Sequence, residues 1–213
     1  MQLNLGQWVV IGVCSVLILG YILGYFYNRQ RAERIFKWLR DGLSTLGEVS
    51  LGAKLPGMAT GGRLEVSQPA APLKRVEVVY LLAPRENLIF WLFHTLQGRG
   101  DELIMWVNFQ SKPEQSVEVA RTGDRQFDKR LRDKEKPALS ILDGSRGLQI
   151  AVEEMPGALL AGKVQSFINN HPSTVIRLAL RPDKPHLFLR ANLRSIQRTP
   201  AVELFTALKG LAG

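Results

Sequence analysis

Four arginines toward the end of the chain form the pattern closest to a chemical site. Arg177 and Arg181 lie in TVIRLALR (Thr174–Arg181), and Arg190 and Arg194 lie in HLFLRANLR (His186–Arg194), with the turn PDKP between them. Read as a hairpin, each strand sends alternate residues to opposite faces. Ile176, Leu178 and Leu180 then share a face with Leu187, Leu189, Ala191 and Leu193, and the four arginines share the other, with Arg198 close by. Guanidinium groups grouped in this way suit phosphate, in RNA or in a lipid headgroup. The plain alternative is the wet face of a half-covered antiparallel sheet. Such a face ordinarily mixes in acids, and here the turn's Asp183 is the only one, which tips the reading toward phosphate. A second basic group, Arg31, Arg34 and Lys37, follows the apolar segment described below.

Bond-making chemistry has no comparable pattern. There is no phosphate-cradling glycine loop, no dinucleotide fingerprint, no paired-histidine zinc helix and no nucleophile elbow. Glu153 and Glu154 are adjacent, so in a strand they face opposite ways and cannot act as an acid/base pair. His94, His171 and His186 lack ligand spacing and read as surface or loop residues rather than metal ligands. The single cysteine, Cys14, excludes an internal disulfide and a cysteine zinc site. The expectation is a protein that is not an enzyme, with no metal, cofactor or small-molecule substrate.

The element that positions everything else is Trp8–Tyr27, WVVIGVCSVLILGYILGYFY, without a charge or a proline. As a helix it would run about 30 Å, the thickness of a bilayer's hydrocarbon core. Trp8 at one end and Tyr21, Tyr25 and Tyr27 at the other suit the two interfaces. No basic residue precedes it, and Arg29, Arg31, Arg34, Lys37 and Arg40 follow. The positive-inside rule then puts the amino terminus outside and the rest in the cytosol: of the plasma membrane in a prokaryote, of the endoplasmic reticulum in a eukaryote. A cleaved signal would carry its positive charge before the apolar run. Gly20 and Gly24 make a small-xxx-small pair that suits contact with a partner transmembrane helix, or reflects only the frequency of glycine in such helices.

The chain of 213 residues carries a net charge of +9, none of it in the anchor. Anionic lipid, RNA or an acidic protein is the implied neighbour. Residues 1–27 read as the anchor, 28–47 as a basic amphipathic helix, 48–62 as a linker and 63–213 as the cytosolic domain. In the amphipathic stretch Ile35, Leu39, Leu43 and Leu46 recur at helical spacing. That stripe either lies at the headgroups or, the favoured reading, packs on the domain. Strands are expected at 63–66, 74–83, 102–109, 116–121, 148–154, 174–181 and 186–194. Helices are expected at 85–98, from Thr122 as cap toward 136, from Pro156 to 170, and after Pro200. The helix RENLIFWLFHTLQG is apolar on nearly all sides, as a core helix would be, or one with a face left for membrane or partner. The fold class is α+β, with a mixed, largely antiparallel sheet and helices mainly on one face.

This layout resembles the calumin family, single-pass endoplasmic-reticulum proteins that are subunits of the PAT intramembrane chaperone complex. The resemblance lies in YFYNRQRAERIFKWLRDGL, PRENLIFWLFHTLQGRGDELIMWVNF, SVEVARTGDRQFDKRL, the Glu154-Met155 pair before the helix with Lys163 and Phe167, and LFLRANL. It covers the anchor and nearly all of the domain as spaced patterns. It implies a role beside the ribosome and translocation channel, assisting membrane-protein insertion through partner transmembrane subunits. Two departures go with it: no acidic lumenal region precedes the anchor, and no basic coiled-coil tail follows the last helix. Calcium binding and tail-mediated ribosome contact are therefore not expected.

Two readings result. In the first, the favoured one, the chain is a membrane-protein-biogenesis factor: Gly20 and Gly24 meet a partner helix, and Arg177, Arg181, Arg190 and Arg194, with Arg31, Arg34 and Lys37, meet ribosomal RNA or lipid. In the other it is a single-pass scaffold or regulatory protein whose basic domain lies on anionic lipid.

Overall fold

The amino-terminal apolar segment and the basic stretch after it form one helix, α1 (Leu5–Leu43), unbroken for 39 residues. Asn4 caps it: its side chain accepts from the Gln7 amide, and the Gln7 side chain accepts from the Asn4 amide. In the computed structural model, which describes residues 4–52, 61–132, 139–143, 147–153, 159–171 and 174–212, α1 alone is long and apolar enough to cross a membrane. Residues 4–19 stand clear of the rest of the chain with every side chain exposed. The final turns are the reverse: Ile35, Leu39 and Leu43 are fully buried. The helical stripe therefore packs on the domain, and α1 is at once a projecting apolar rod and a core helix.

The sheet has nine strands: β1 (Glu48–Leu51), β2 (Gly61–Ser67), β3 (Leu73–Leu81), β4 (Glu102–Phe109), β5 (Val117–Arg121), β6 (Leu139–Asp143), β7 (Leu148–Glu153), β8 (Val175–Leu180) and β9 (Leu187–Asn192). Their order is β1-β2-β3-β4-β9-β8-β5-β7-β6. Every pairing among them is antiparallel, so the expected mixed character is corrected. The reason is visible at α2 (Leu88–Leu96): it joins β3 to β4 as adjacent antiparallel strands and leaves the sheet's end as a protruding helical loop.

Alternation sorts the side chains. Leu64, Val78, Met105, Leu189, Leu178, Val119 and Ile150 turn to one face and join the main core with Ile35, Leu39 and Leu43 of α1. α4 (Leu159–Asn170) contributes Val164, Phe167 and Ile168 to that core, and α6 (Ala201–Gly210) contributes Leu204, Phe205 and Leu208. α1 and α6 touch closely at Gly42, where a Cβ would meet Ala201 Cβ and the Phe205 ring at 2.6 Å. On the opposite face α3 (Arg125–Leu131) packs Phe127 and Leu131 on Ala120 and Ala151.

Several expectations are adjusted. Strands β1 and β6 lie outside the expected strand set. Leu193 and Arg194 belong to a short helix, α5 (Leu193–Ile196), which Asn192 caps by accepting from the Ser195 amide, so the last strand stops early. Asp124, not Thr122, caps α3, accepting from the Phe127 amide at 3.0 Å. The helix start at Pro156, Glu154 with Met155, and most of the 48–62 linker lie outside the described residues.

Because Leu39 is fully buried between α1 and the sheet, Leu39→Ala should destabilise the domain by about 2–5 kcal/mol. Leu17→Ala, on the projecting half of the same helix, should leave the domain's unfolding unchanged. Denaturant unfolding of the full chain in detergent, followed by near-ultraviolet circular dichroism, separates the two.

Candidate functional site

The site is built on one face of α1. Gly20, Gly24, Asn28, Arg31, Ile35, Leu39 and Gly42 follow one another at three- and four-residue steps and so form one stripe. Its lower part is the core seam just described. Its upper part meets α2.

Gly24 is buried under the chain that leads into α2: a Cβ there would fall 2.1 Å from the Arg85 carbonyl oxygen. Gly20 faces Leu88, the first residue of α2, whose Cδ1 would be 2.2 Å from the same added atom. The close approach that two glycines permit is thus occupied by the chain's own second apolar helix. Asn87 caps that helix, its Oδ1 accepting from the Phe90 amide at 3.1 Å.

Immediately below the glycines the contact turns polar. Asn28 Nδ2 donates to the Ala83 carbonyl at 2.9 Å and to Glu86 Oε2 at 2.8 Å, and Arg85 Nη1 donates to Asn28 Oδ1 at 3.0 Å. The centre is Asp101, the residue before β4, with a side chain only 3% exposed. Its carboxylate accepts from Arg85 Nη1 at 2.8 Å and Nη2 at 3.1 Å, from the Ala83 amide at 2.9 Å, and from Arg31 Nε. The Asp101 carbonyl accepts from the Leu193 amide at 3.0 Å, which ties in α5. Arg85 also lies over the Tyr27 ring, 5.0 Å from its centroid. Burial alone would raise the Asp101 carboxyl, but the Arg85 and Ala83 hydrogen bonds, the Arg85 charge and the Arg31 bond outweigh it and hold the group below its ordinary range.

Between α1 and α2 a cleft of about 750 Å³ opens above this clasp. Its lining combines the apolar Leu23, Leu88 and Trp91 with Arg31, Arg85, Arg99, Asp101 and Arg194. A second cleft of about 780 Å³ flanks the far side of α2, bounded by Tyr21, Phe90, His94 and Glu86. α2 itself has no buried residue. Ile89, Phe90, Leu92, Phe93 and Leu96 are each more than half exposed.

The expected arginine face is distributed differently. Arg177, Arg181 and Arg190 do share a sheet face, but acids from neighbouring strands stand among them. Arg181 pairs with Glu118 at 2.8 Å and Arg177 with the same carboxylate at 3.4 Å, joined by Arg130 from α3. Arg190 makes a bidentate pair with Glu102, both contacts at 2.8 Å. Arg177 and Glu118 are buried. The face therefore mixes acids after all, because Glu118 on β5 and Glu102 on β4 come from strands distant in sequence. Arg194 sits apart in α5, exposed at the rim of the α1–α2 cleft. Of the earlier basic group, Arg31 belongs to the clasp, while Arg34 and Lys37 are exposed on α1. His171 and His186 are buried, not superficial; His186 Nδ1 accepts from the Phe109 amide at 3.0 Å. Among the described residues no group of acids, histidines or cysteine is placed to hold a metal ion.

Asp101 and Arg99 escaped the sequence reading, since nothing local distinguishes them. The useful signal was Asn28 and Arg31 on the same helical stripe as Gly24. No protein-family model matches the chain, and no curated protein matches it.

Since the folded chain holds Asp101 ionised more strongly than the unfolded chain does, its contribution to stability is complete above the ordinary carboxylate range, about pH 4. It is lost as the pH falls through the lower folded value. Asp101→Asn leaves Arg31 and Arg85 without their counter-charge and should cost about 3 kcal/mol or more at neutral pH. Its stability should also fall less steeply than wild type on acidification below about pH 4, checked by urea titrations across pH.

Proposed function

We propose that this chain is a membrane-anchored, non-enzymatic domain held flat against the cytosolic leaflet, with α1 crossing the bilayer, its amino terminus outside, and α2 lying in the leaflet beside it. The observation that carries this reading is the level at which α2 meets α1. Gly20 and Gly24 lie within the apolar span, and Gly20 is about 10 Å from its end at Tyr27. A helix packed there with five large apolar side chains exposed would be poorly placed in water. Each such side chain gains about 1.5–3 kcal/mol on full transfer to an apolar surround. The clasp at Asn28, Arg31, Arg85 and Asp101 then falls at the headgroup level, where ionic groups and Tyr27 belong.

Orientation is supported by Arg29, Arg31, Arg34, Lys37 and Arg40 after the span, with no basic residue before it. A cleaved signal fits less well, because α1 runs without a break from the apolar segment into the core. The role that follows is that of a scaffold or regulatory domain apposed to anionic lipid.

A second reading, assistance to membrane-protein insertion as the calumin resemblance implies, draws on the clefts that flank α2. Both border apolar helix surface that a client segment or a partner subunit could cover. Its ribosome contact would rest on exposed residues such as Arg34, Lys37 and Arg198, since Arg177, Arg181 and Arg190 are engaged by acids. It requires salt-sensitive ribosome binding; the lipid-apposed reading does not.

The test labels α2 directly. The full chain with Cys14→Ala and Phe93→Cys, carrying an environment-sensitive fluorophore, is reconstituted in vesicles containing bromine- or nitroxide-bearing acyl chains. Strong quenching is expected at position 93 and none at a Val202→Cys control on α6, which packs against α1 about 20 Å below the span. Equal, weak quenching at both positions would place α2 in water and refute the reading.

A further inference from the structure

We infer that the cleft between α1 and α2 is a binding site for one anionic phospholipid of the cytosolic leaflet, its phosphate held by Arg99 and Arg194 and its acyl chains lying along Leu23, Leu88 and Trp91. The inference rests on the placement of α2 in the leaflet and adds a specific ligand to it.

The cleft divides into two chemistries in the order a phospholipid presents them. Leu23 comes from the apolar span of α1, Leu88 packs at Gly20 of that span, and Trp91 is one turn further along α2, so the apolar part of the lining lies at acyl-chain depth. The rest of the lining is largely basic. Arg31, Arg85, Arg99 and Arg194 stand against the single acid Asp101, which leaves three positive charges in excess. Arg31 and Arg85 are committed to Asp101. Arg99 and Arg194 are exposed and have no ion-pair partner among the described residues. They approach from different elements, Arg99 after α2 and Arg194 in α5, and both border the cleft. The cleft on the far side of α2 lacks this character: Glu86 and Glu102 line it with Arg99 and Arg190, and Arg190 is already paired with Glu102. The cleft beside Leu23 and Trp91 therefore offers an anion the stronger attraction, at the depth where phosphodiesters sit.

A headgroup with a net negative charge is favoured over a zwitterionic one, whose cationic ammonium would be repelled by the remaining guanidinium groups. Guanidinium forks also match phosphate oxygens geometrically, in a way an ammonium does not.

The experiment takes the full chain from vesicles of equal phosphatidylglycerol and phosphatidylcholine into detergent and counts retained lipid by native mass spectrometry. Wild type should keep one phosphatidylglycerol per chain, at least tenfold over phosphatidylcholine. Arg99→Gln/Arg194→Gln should lose that preference by tenfold or more. Lys112→Gln/Lys184→Gln, which removes the same charge from exposed residues around a separate hollow, should keep it. Equal retention of the two lipids by wild type would overturn the inference without recourse to any variant, and so would equal loss in both double variants. If the label at position 93 is quenched by lipid while phosphatidylglycerol is not selected, the leaflet placement stands and only the lipid site falls. If that label is not quenched, both fall together.

Discussion

The Asp101 carboxylate is the point at which three parts of the chain are fastened to one another. Arg31 reaches it from α1, Arg85 from the lead-in to α2, and the Ala83 amide from just beyond β3. Asp101 itself immediately precedes β4, and its carbonyl takes the amide of Leu193 in α5. A carboxylate so enclosed is tolerable only because every approach to it ends in a donor and two of those donors are cationic. The arrangement fixes the direction in which α1 leaves the domain. The same residues divide that helix into two stretches, with glycine contacts to α2 before them and the packed core of the domain after them.

From that fastening the rest follows by helical geometry. One stripe of α1 is small at Gly20 and Gly24, polar at Asn28 and Arg31, and apolar at Ile35 and Leu39. Each section meets a different partner: α2, the clasp, and the sheet with α6. Small residues let backbones approach where no side-chain interdigitation is needed. Moving either glycine one position along would turn it off the stripe and put a side chain into Arg85 or Leu88. The apolar, exposed α2 is then held against the apolar half of α1, where its surroundings decide whether its composition is a liability or a fit.

Much of this was legible in the chain itself. The helical stripe through Leu39, the long apolar helix and most of the strands follow from period and composition, and the α+β class with them, whereas the purely antiparallel pairing replaced an expected mixed sheet. The partner of Gly20 and Gly24 was not legible, because the spacing shows that something can come close but not what. The arginine face misled for a related reason: within β8 and β9 it looks free of acids, yet Glu118 and Glu102 arrive from β5 and β4 through long-range register. Asp101 and Arg31 stand seventy positions apart in the chain, and no local pattern joins them. Strands β1 and β6 are short pieces that only sheet pairing makes visible.

The most direct test of the central claim, that the clasp carries α2 into the leaflet alongside α1, is amide hydrogen exchange on the full chain in lipid nanodiscs. A nine-residue helix with no buried side chain has no protection of its own in water. If α2 lies in lipid, the amides of Leu88–Leu96 should exchange as slowly as those of the apolar half of α1. Exchange of that helix within seconds, beside a protected α1, would contradict the account.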